Sequence, residues 1–286
     1  MTVGQSARAA LLRARARYGG RDRMADYAAL LTAARDEGYE IVPLRELHER
    51  LQAGTLTDRR VLALRHDVDI SDVAGNEGFW SIERSLGVRS TFYFRLSTVE
   101  AHRRLIPALL GAEFEVGYHF EEGATMAKRL GLTHRSMILE RRDEVEGLFE
   151  RNCRTFRDRW SRDLASVASH GDWVNRRLGF ANHELVSAAL LASCGIRFEA
   201  YDHVLMNASD VYVSDVARPP ERWANGYGLA DAVGEGRSPI YLLAHERNWH
   251  VARRANAIAD AGRIADGLRY RIARWSARRG ANARGE

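Results

Sequence analysis

Hydrophobic and polar positions along the chain fall into short apolar runs, each closed by a histidine or a charged residue and followed by a stretch of helical periodicity. Val61-Leu62-Ala63-Leu64 leads into Arg65-His66-Asp67-Val68-Asp69, Phe114 to Tyr118 ends at His119, Ser166 to Ser169 ends at His170, and Ile240 to Ala244 ends at His245. Runs of four to six residues without polar alternation predict strands buried on both faces, as in parallel sheets. Ser90 to Leu96 is aromatic and β-branched and predicts another strand. Two more are predicted over 196–201 and 211–216. Helical spacing is read over 73–86, 101–111, 134–150 and 185–193, and a long amphipathic helix over 252–274. Residues 152–163 read as a less regular basic stretch. Ahead of the first run lie a loosely held arm (1–20), a helix over 23–37 with Tyr27, Leu30 and Leu31 on one side, a short strand at 39–44 and a short helix at 44–51. Strands alternating with helices predict an α/β fold with seven strands. The expected division is an N-terminal αβ extension over 1–55 and one α/β barrel over 56–286.

The chain has 286 residues, enough for one large barrel or two smaller domains. Its formal net charge is +5, and Lys128 is the single lysine among 43 basic residues. Arginine in place of lysine, with no basic stripe carrying interleaved aromatics, does not read as a nucleic-acid surface. No secretory signal and no membrane-spanning apolar run are found, so the expectation is a cytoplasmic protein without stable membrane insertion. Cys153 and Cys194 are too far apart for a metal motif and are expected to be reduced, buried thiols.

In α/β barrels the C-terminal strand ends carry the chemistry. Strand alternation puts Arg65, Asp67 and Asp69 on one face, where two carboxylates repel each other unless a cation lies between them. The other reading of that stretch is a surface turn with Asp69 capping the next helix. His119 alone reads as a structural histidine, and gains weight from the D-x-D at an equivalent strand end. Gly171 after His170 allows a sharp turn or close approach of a ligand. His245 suits general acid work. Trp249 is either a stacking face for a sugar ring or a core aromatic. Asp202, His203 and Asp215 also fall at strand ends, as positioning or substrate-contacting residues. Carboxylates with histidines match a catalytic Zn, Fe, Co, Ni or Mn site with an open position.

The motifs L-R-H-D-V-D (64–69), S-T-F-Y-F (90–94), E-V-G-Y-H (115–119) and L-L-A-H-E-R-N-W (242–249) resemble those of the polysaccharide deacetylase superfamily, the NodB-homology group related to carbohydrate esterase family 4. The stretch 26–44 resembles the lead-in of its subgroup with R-H-D-V-D as first motif. The resemblance implies a distorted (β/α)7 barrel, a divalent metal and hydrolysis of an N- or O-acetyl group, usually on a sugar. It places the catalytic base at Asp67, a metal histidine at His119 and the acid at His245. Val68 stands where the family has its metal aspartate, and Asp69 is the substitute one residue on. Gly123 stands where the second metal histidine would fall, and the arginine-containing third motif is not recognisable. His170 is the candidate replacement, inferred from its strand end and not carried over.

The sequence therefore points to a metal-dependent deacetylase of an amino sugar or small glycosylated metabolite. Asp67 and His245 would be catalytic, Asp69, His119 and His170 the metal ligands, and Arg65, Arg95, Trp249 and Asp202 near the substrate. Zinc is the first-choice metal. The rival is a catalytically lapsed barrel that binds a carbohydrate or metabolite, or serves as a scaffold. A weaker third reading attaches the arginine-rich segment 263–279 to a membrane surface, against a solvated helix packed on the barrel.

Overall fold

The computed structural model describes residues 18–56, 59–215 and 223–284. Most of the arm expected over 1–20, and the end of the strand expected over 211–216, lie outside them. In chain order the elements are α1 (Met24–Asp36), β1 (Glu40–Val42), α2 (Leu44–Gln52), β2 (Val61–Val68), α3 (Val73–Ser85), β3 (Thr91–Phe94), α4 (Leu105–Gly111) and β4 (Glu115–Phe120). Then come α5 (Glu122–Leu130), α6 (Arg135–Leu139), α7 (Arg142–Arg159), β5 (Ser166–Ser169), α8 (Trp173–Leu178), α9 (Ala188–Ser193) and β6 (Phe198–Glu199). The chain closes with α10 (His203–Ala208), β7 (Val211–Ser214), α11 (Leu229–Gly234), β8 (Ile240–Ala244) and α12 (Arg253–Arg284). This is an α/β fold of parallel strands linked by helices, the class that the apolar runs predict.

The chain forms two compact units. The first holds the described residues up to Gly117 together with Asp202–Asn256. The second holds Tyr118–Tyr201 and the described residues from Ala257 onward. In the first unit β2 is the central strand. One edge pairs in parallel with β8, from Leu62↔Ile240 to His66↔Ala244. The other edge is shared: β1 pairs with Val61–Ala63 and β3 with Arg65–Val68. β7 then pairs with the far edge of β8. In the second unit β5 lies between the end of β4 and β6, with His119 opposite Ala168 and Ser166 opposite Phe198.

Helix α7 is longer than the sequence reading. Val145, Phe149, Cys153 and Phe156 are all buried at spacings of four, four and three, so the core stripe runs on through the stretch read as irregular. The arginines that mask it sit on the other side of the helix. The helix expected over 134–150 is split into α6 and α7 by non-helical backbone at Arg141.

Every residue of β2 is buried, including Arg65, His66 and Asp67. Its two faces carry separate polar networks, because successive side chains point in opposite directions. On one face His66 lies between the rings of Phe79 and Phe92, with centroids at 4.3 and 4.5 Å. Its Nε2 donates to Glu83 Oε1 at 2.7 Å, and Glu83 also accepts from the hydroxyls of Tyr27 (2.6 Å) and Ser90 (2.5 Å). One carboxylate thus ties α1, β2, α3 and the start of β3 together. Removing it leaves three buried donors unsatisfied, so Glu83→Ala is expected to cost about 3–5 kcal/mol. A denaturant midpoint unchanged from the parent would refute this role.

Candidate functional site

In the first unit the acidic end of β2 meets the ends of β7 and β8. Arg65 is fully buried; its Nη2 donates to Asp67 Oδ2 at 3.0 Å and its Nη1 to the Tyr241 hydroxyl at 2.8 Å. Tyr93 and Tyr241 flank the guanidinium, with ring centroids 5.8 and 5.6 Å away. Arg65, read from sequence as a substrate contact, is thus placed inside the protein, where it orients the Asp67 carboxylate. Asp69 lies one step past the strand. Its Oδ2 accepts from Arg247 Nη2 at 2.5 Å, and its carbonyl accepts from Arg95 Nη1 at 3.1 Å.

Asp215, the residue after β7, organises the far side. It is 1% exposed. Its Oδ1 accepts from His245 Nδ1 at 2.7 Å, and its Oδ2 accepts from the His245 backbone N–H and from Trp249 Nε1, both at 2.8 Å. The first of these bonds fixes the His245 ring and points its Nε2 edge away from Asp215. Burial alone would depress the imidazolium, but the Asp215 carboxylate outweighs it and holds His245 up at about 9. His245 is therefore a cation at neutral pH, with a proton to give. Beside it, burial and the Asp69 carboxylate push Glu246 up to about 8, and its Oε1 accepts from the Ile70 N–H at 3.1 Å.

Trp249 is buried against Arg23, Tyr27 and Trp223, at 4.8, 5.3 and 5.8 Å from its ring, and serves as a wall behind Asp215. Asp202 caps α10 by accepting from the Val204 N–H at 2.8 Å. Arg95 is half-buried.

In the second unit β4 and β5 bring two histidines together. The His119 Nδ1 donates to the Ala168 carbonyl at 2.9 Å, because a carbonyl only accepts; this leaves Nε2 as the basic nitrogen. An imidazole held in this way by a backbone carbonyl is the usual orientation of a metal-ligating histidine. The His119 and His170 rings meet edge to face, with centroids 5.1 Å apart. His170 is clamped at both ends of its peptide. Its N–H donates to the Phe120 carbonyl at 2.8 Å, and its own carbonyl accepts from Asn182 Nδ2 at 2.6 Å. Glu121 Oε2 lies 3.4 Å from His170 Nδ1. Glu121, His170 and Asp172 each bring a ligand atom within 4.8 Å of the others. Asp172 is committed elsewhere, to Lys128 Nζ at 2.7 Å and to the Val174 N–H at the start of α8. Two imidazoles with a neighbouring carboxylate fit the donor set of a divalent transition metal.

Gly123, where the resemblance leads one to look for a second histidine after His119, is closely packed by side chains. A Cβ there would lie 2.5 Å from Leu185 Cδ1, 3.0 Å from Asn182 Oδ1 and 3.1 Å from Phe180 Cε2. A side chain there would need Leu185, Asn182 and Phe180 to give way, and Asn182 also holds the His170 carbonyl.

Asp215 closes an apolar run just as His245 does, and that shared signature marks it in the sequence. Nothing in the sequence marks Arg247 as the partner of Asp69, Glu246 as a raised carboxyl or Asn182 as the clamp on His170, since those pairings depend on how distant turns return.

No family model and no curated protein sequence matches the chain. In structure it is similar to CE4 family proteins. A CE4 family pseudoenzyme from Bacillus anthracis aligns at 13% identity over 75% of this chain and 67% of that one, with a TM-score of 0.41. A mutant of that pseudoenzyme aligns at 13% identity over 72% of this chain, which spans 64% of the mutant's length, with a TM-score of 0.42. The Xyl-CE4 domain of a multidomain xylanase from the hindgut metagenome of Trinervitermes trinervoides aligns at 12% identity over 74% and 84% of the two chains, with a TM-score of 0.40. The peptidoglycan deacetylase PdaC from Bacillus subtilis, as a mutant, aligns at 15% identity over 79% and 96%, with a TM-score of 0.35.

The His245–Asp215 pair has a defined pH signature. Its folded value of about 9 lies above the ordinary 6.5, so the stability it contributes is present in full below 6.5 and lost as pH rises through about 9. Asp215→Asn should bring the His245 titration, followed by imidazole NMR, down to 6.5 or below and remove that alkaline loss; a titration still near 9 would show another cause. Gly123→His should destabilise the fold by about 3 kcal/mol through overpacking, without raising metal content. A stable G123H protein with tighter metal binding would overturn that account.

Proposed function

We propose that the chain is a metal-dependent hydrolase that removes an acyl group, N-acetyl in the simplest case, from an amino sugar or a small glycosylated metabolite. The observation that carries this reading is the buried His245–Asp215 pair, which keeps a proton donor charged at neutral pH close to the carboxylate-bearing end of β2. Asp67, oriented by Arg65, takes the proton from the attacking water as its oxygen bonds to the acyl carbon. His245 delivers a proton from Nε2 to the nitrogen as the C–N bond breaks, and Asp215 keeps the ring oriented throughout. Asp69, His119 and His170 are the proposed metal ligands, with zinc first and Fe, Co, Ni or Mn as alternatives. A bound metal would polarise the acyl carbonyl. Arg95 is the proposed polar contact to the substrate. Trp249 and Asp202 act from behind, through Asp215 and through the cap of α10.

A second reading has an observation of its own. Arg247 already neutralises Asp69 at 2.5 Å, which is the service a metal cation would perform. On that reading the chain is a lapsed barrel that binds a carbohydrate or metabolite without hydrolysing it, and Arg247 stands in for the metal charge.

Elemental analysis with activity separates the two. The hydrolase reading expects about one metal per chain, lost in Asp69→Ala and in His170→Ala, and deacetylation of N-acetylhexosamine derivatives that chelator abolishes. Asp67→Asn should lower kcat by about a hundredfold or more while leaving metal content intact. Full activity in metal-free protein would sink the mechanism. Metal-free, inactive protein that still binds the sugar, and loses that binding in Arg247→Ala, favours the lapsed barrel.

A further inference from the structure

Helix α12 has two faces of opposite character. Tyr270 anchors it in the second unit: it is 2% exposed, packs with Ala124, Ala127 and Leu132, and its hydroxyl donates to the Leu132 carbonyl at 2.6 Å. Gly131 lies so close to the backbone of Ala273 and Arg274 that a Cβ there would collide with it. This fixes the rotation of the helix about its axis. The face turned outward is apolar. Ile264, Leu268, Ile272 and Trp275, spaced four, four and three apart, form one stripe and are 67%, 53%, 64% and 55% exposed. Four large apolar side chains in a row on a solvated surface are unusual for a helix whose other side is already packed.

Along the edge of that stripe runs a basic pocket of about 280 Å³, lined by Trp173, Arg177, Arg263, Tyr270, Arg271 and Arg274. The Tyr270 ring has two guanidinium groups over it, Arg177 and Arg274, each at 5.6 Å. Arg274 Nε is buried and meets no acceptor among the described residues. Arg263 is paired to Asp260, whereas Arg177, Arg271 and Arg274 meet no carboxylate there. From 263 to 279 the sequence holds six arginines and one acid, Asp266, which lies beside Lys128 and Arg269. The pocket thus concentrates uncompensated positive charge in a shape that suits a phosphate and its first ester carbons.

We propose that α12 docks the protein on an anionic phospholipid surface, with the 264–275 stripe entering the interface and the arginine pocket seating a headgroup phosphate. A bilayer presents both required chemistries side by side, apolar chains and phosphate anions. A second copy of the chain would match the apolar stripe but set its arginines against an identical set. A nucleic acid would match the charge but leave Ile264, Leu268 and Ile272 in water. This goes beyond the hydrolase reading and does not depend on it.

The test is co-sedimentation of the full chain with vesicles of phosphatidylcholine alone and of an equimolar mixture with phosphatidylglycerol. The protein is expected to pellet with the mixed vesicles and to remain in solution with the neutral ones. R177A/R271A/R274A should lower the partition coefficient by about a hundredfold, and I272D/W275D should abolish pelleting; both alter exposed or half-buried positions outside the core. Four results overturn the proposal. They are no pelleting with the mixed vesicles, variants that pellet like the parent, a dimer dispersed by I272D/W275D in a protein that ignores vesicles, and binding of free glycerol 3-phosphate by such a protein.

Discussion

Burying charge on both faces of one strand is the constraint that shapes the first unit. β2 has no exposed residue, yet three of its last four positions are Arg65, His66 and Asp67. An unpaired charge in that setting costs several kcal/mol, so each must find its partner within reach. Alternation sends Arg65 and Asp67 one way and His66 the other. Arg65 pairs with Asp67 and donates to Tyr241 of β8; His66 donates to Glu83 of α3, which also accepts from Tyr27 and Ser90. The polar pairings select which helix and which strand may lie against β2, and the apolar neighbours fill what is left.

The same logic repeats at the ends of β7 and β8. Asp215 accepts from the backbone of His245, the ring of His245 and the indole of Trp249, and these three donors offset the cost of burying its charge. The outcome is an imidazole whose orientation and charge are both set by a neighbour that never has to touch a substrate. Asp69 shows the contrasting case. Its counter-ion is the long, largely buried side chain of Arg247, from the short turn after β8.

Much of the strand framework could be read directly from the apolar runs. β2, β3, β4, β5 and β8 begin or end within a residue or two of their expected positions, because buried parallel strands have little freedom in composition. β6 is shorter than expected, and α5, α8, α10 and α11 are not among the helices that the periodicity predicts. Those four are short helices, of six to nine residues, in segments where glycine or mixed polarity blurs the period. Of the candidate residues, the acid and histidine strand ends were visible one by one. Their partners were not. Glu83 for His66, Asp215 for His245 and Arg247 for Asp69 are separated from them by 17, 30 and 178 residues, and no local pattern encodes which distant group returns to pair. Trp249, legible only as an aromatic with two readings, is resolved by its buried environment to the wall behind Asp215.

The packing at Gly123 also bears on how this chain can change over generations. Its neighbours are not interchangeable fillers: Asn182, which stands 3.0 Å from where a Cβ would be, also donates to the His170 carbonyl and accepts from the Ala124 N–H. A histidine there would press on Leu185 and Asn182, and moving Asn182 loosens its hold on the turn that carries His170. Any change in bulk at this position is therefore felt at the His170 turn, through the one amide side chain that the two share.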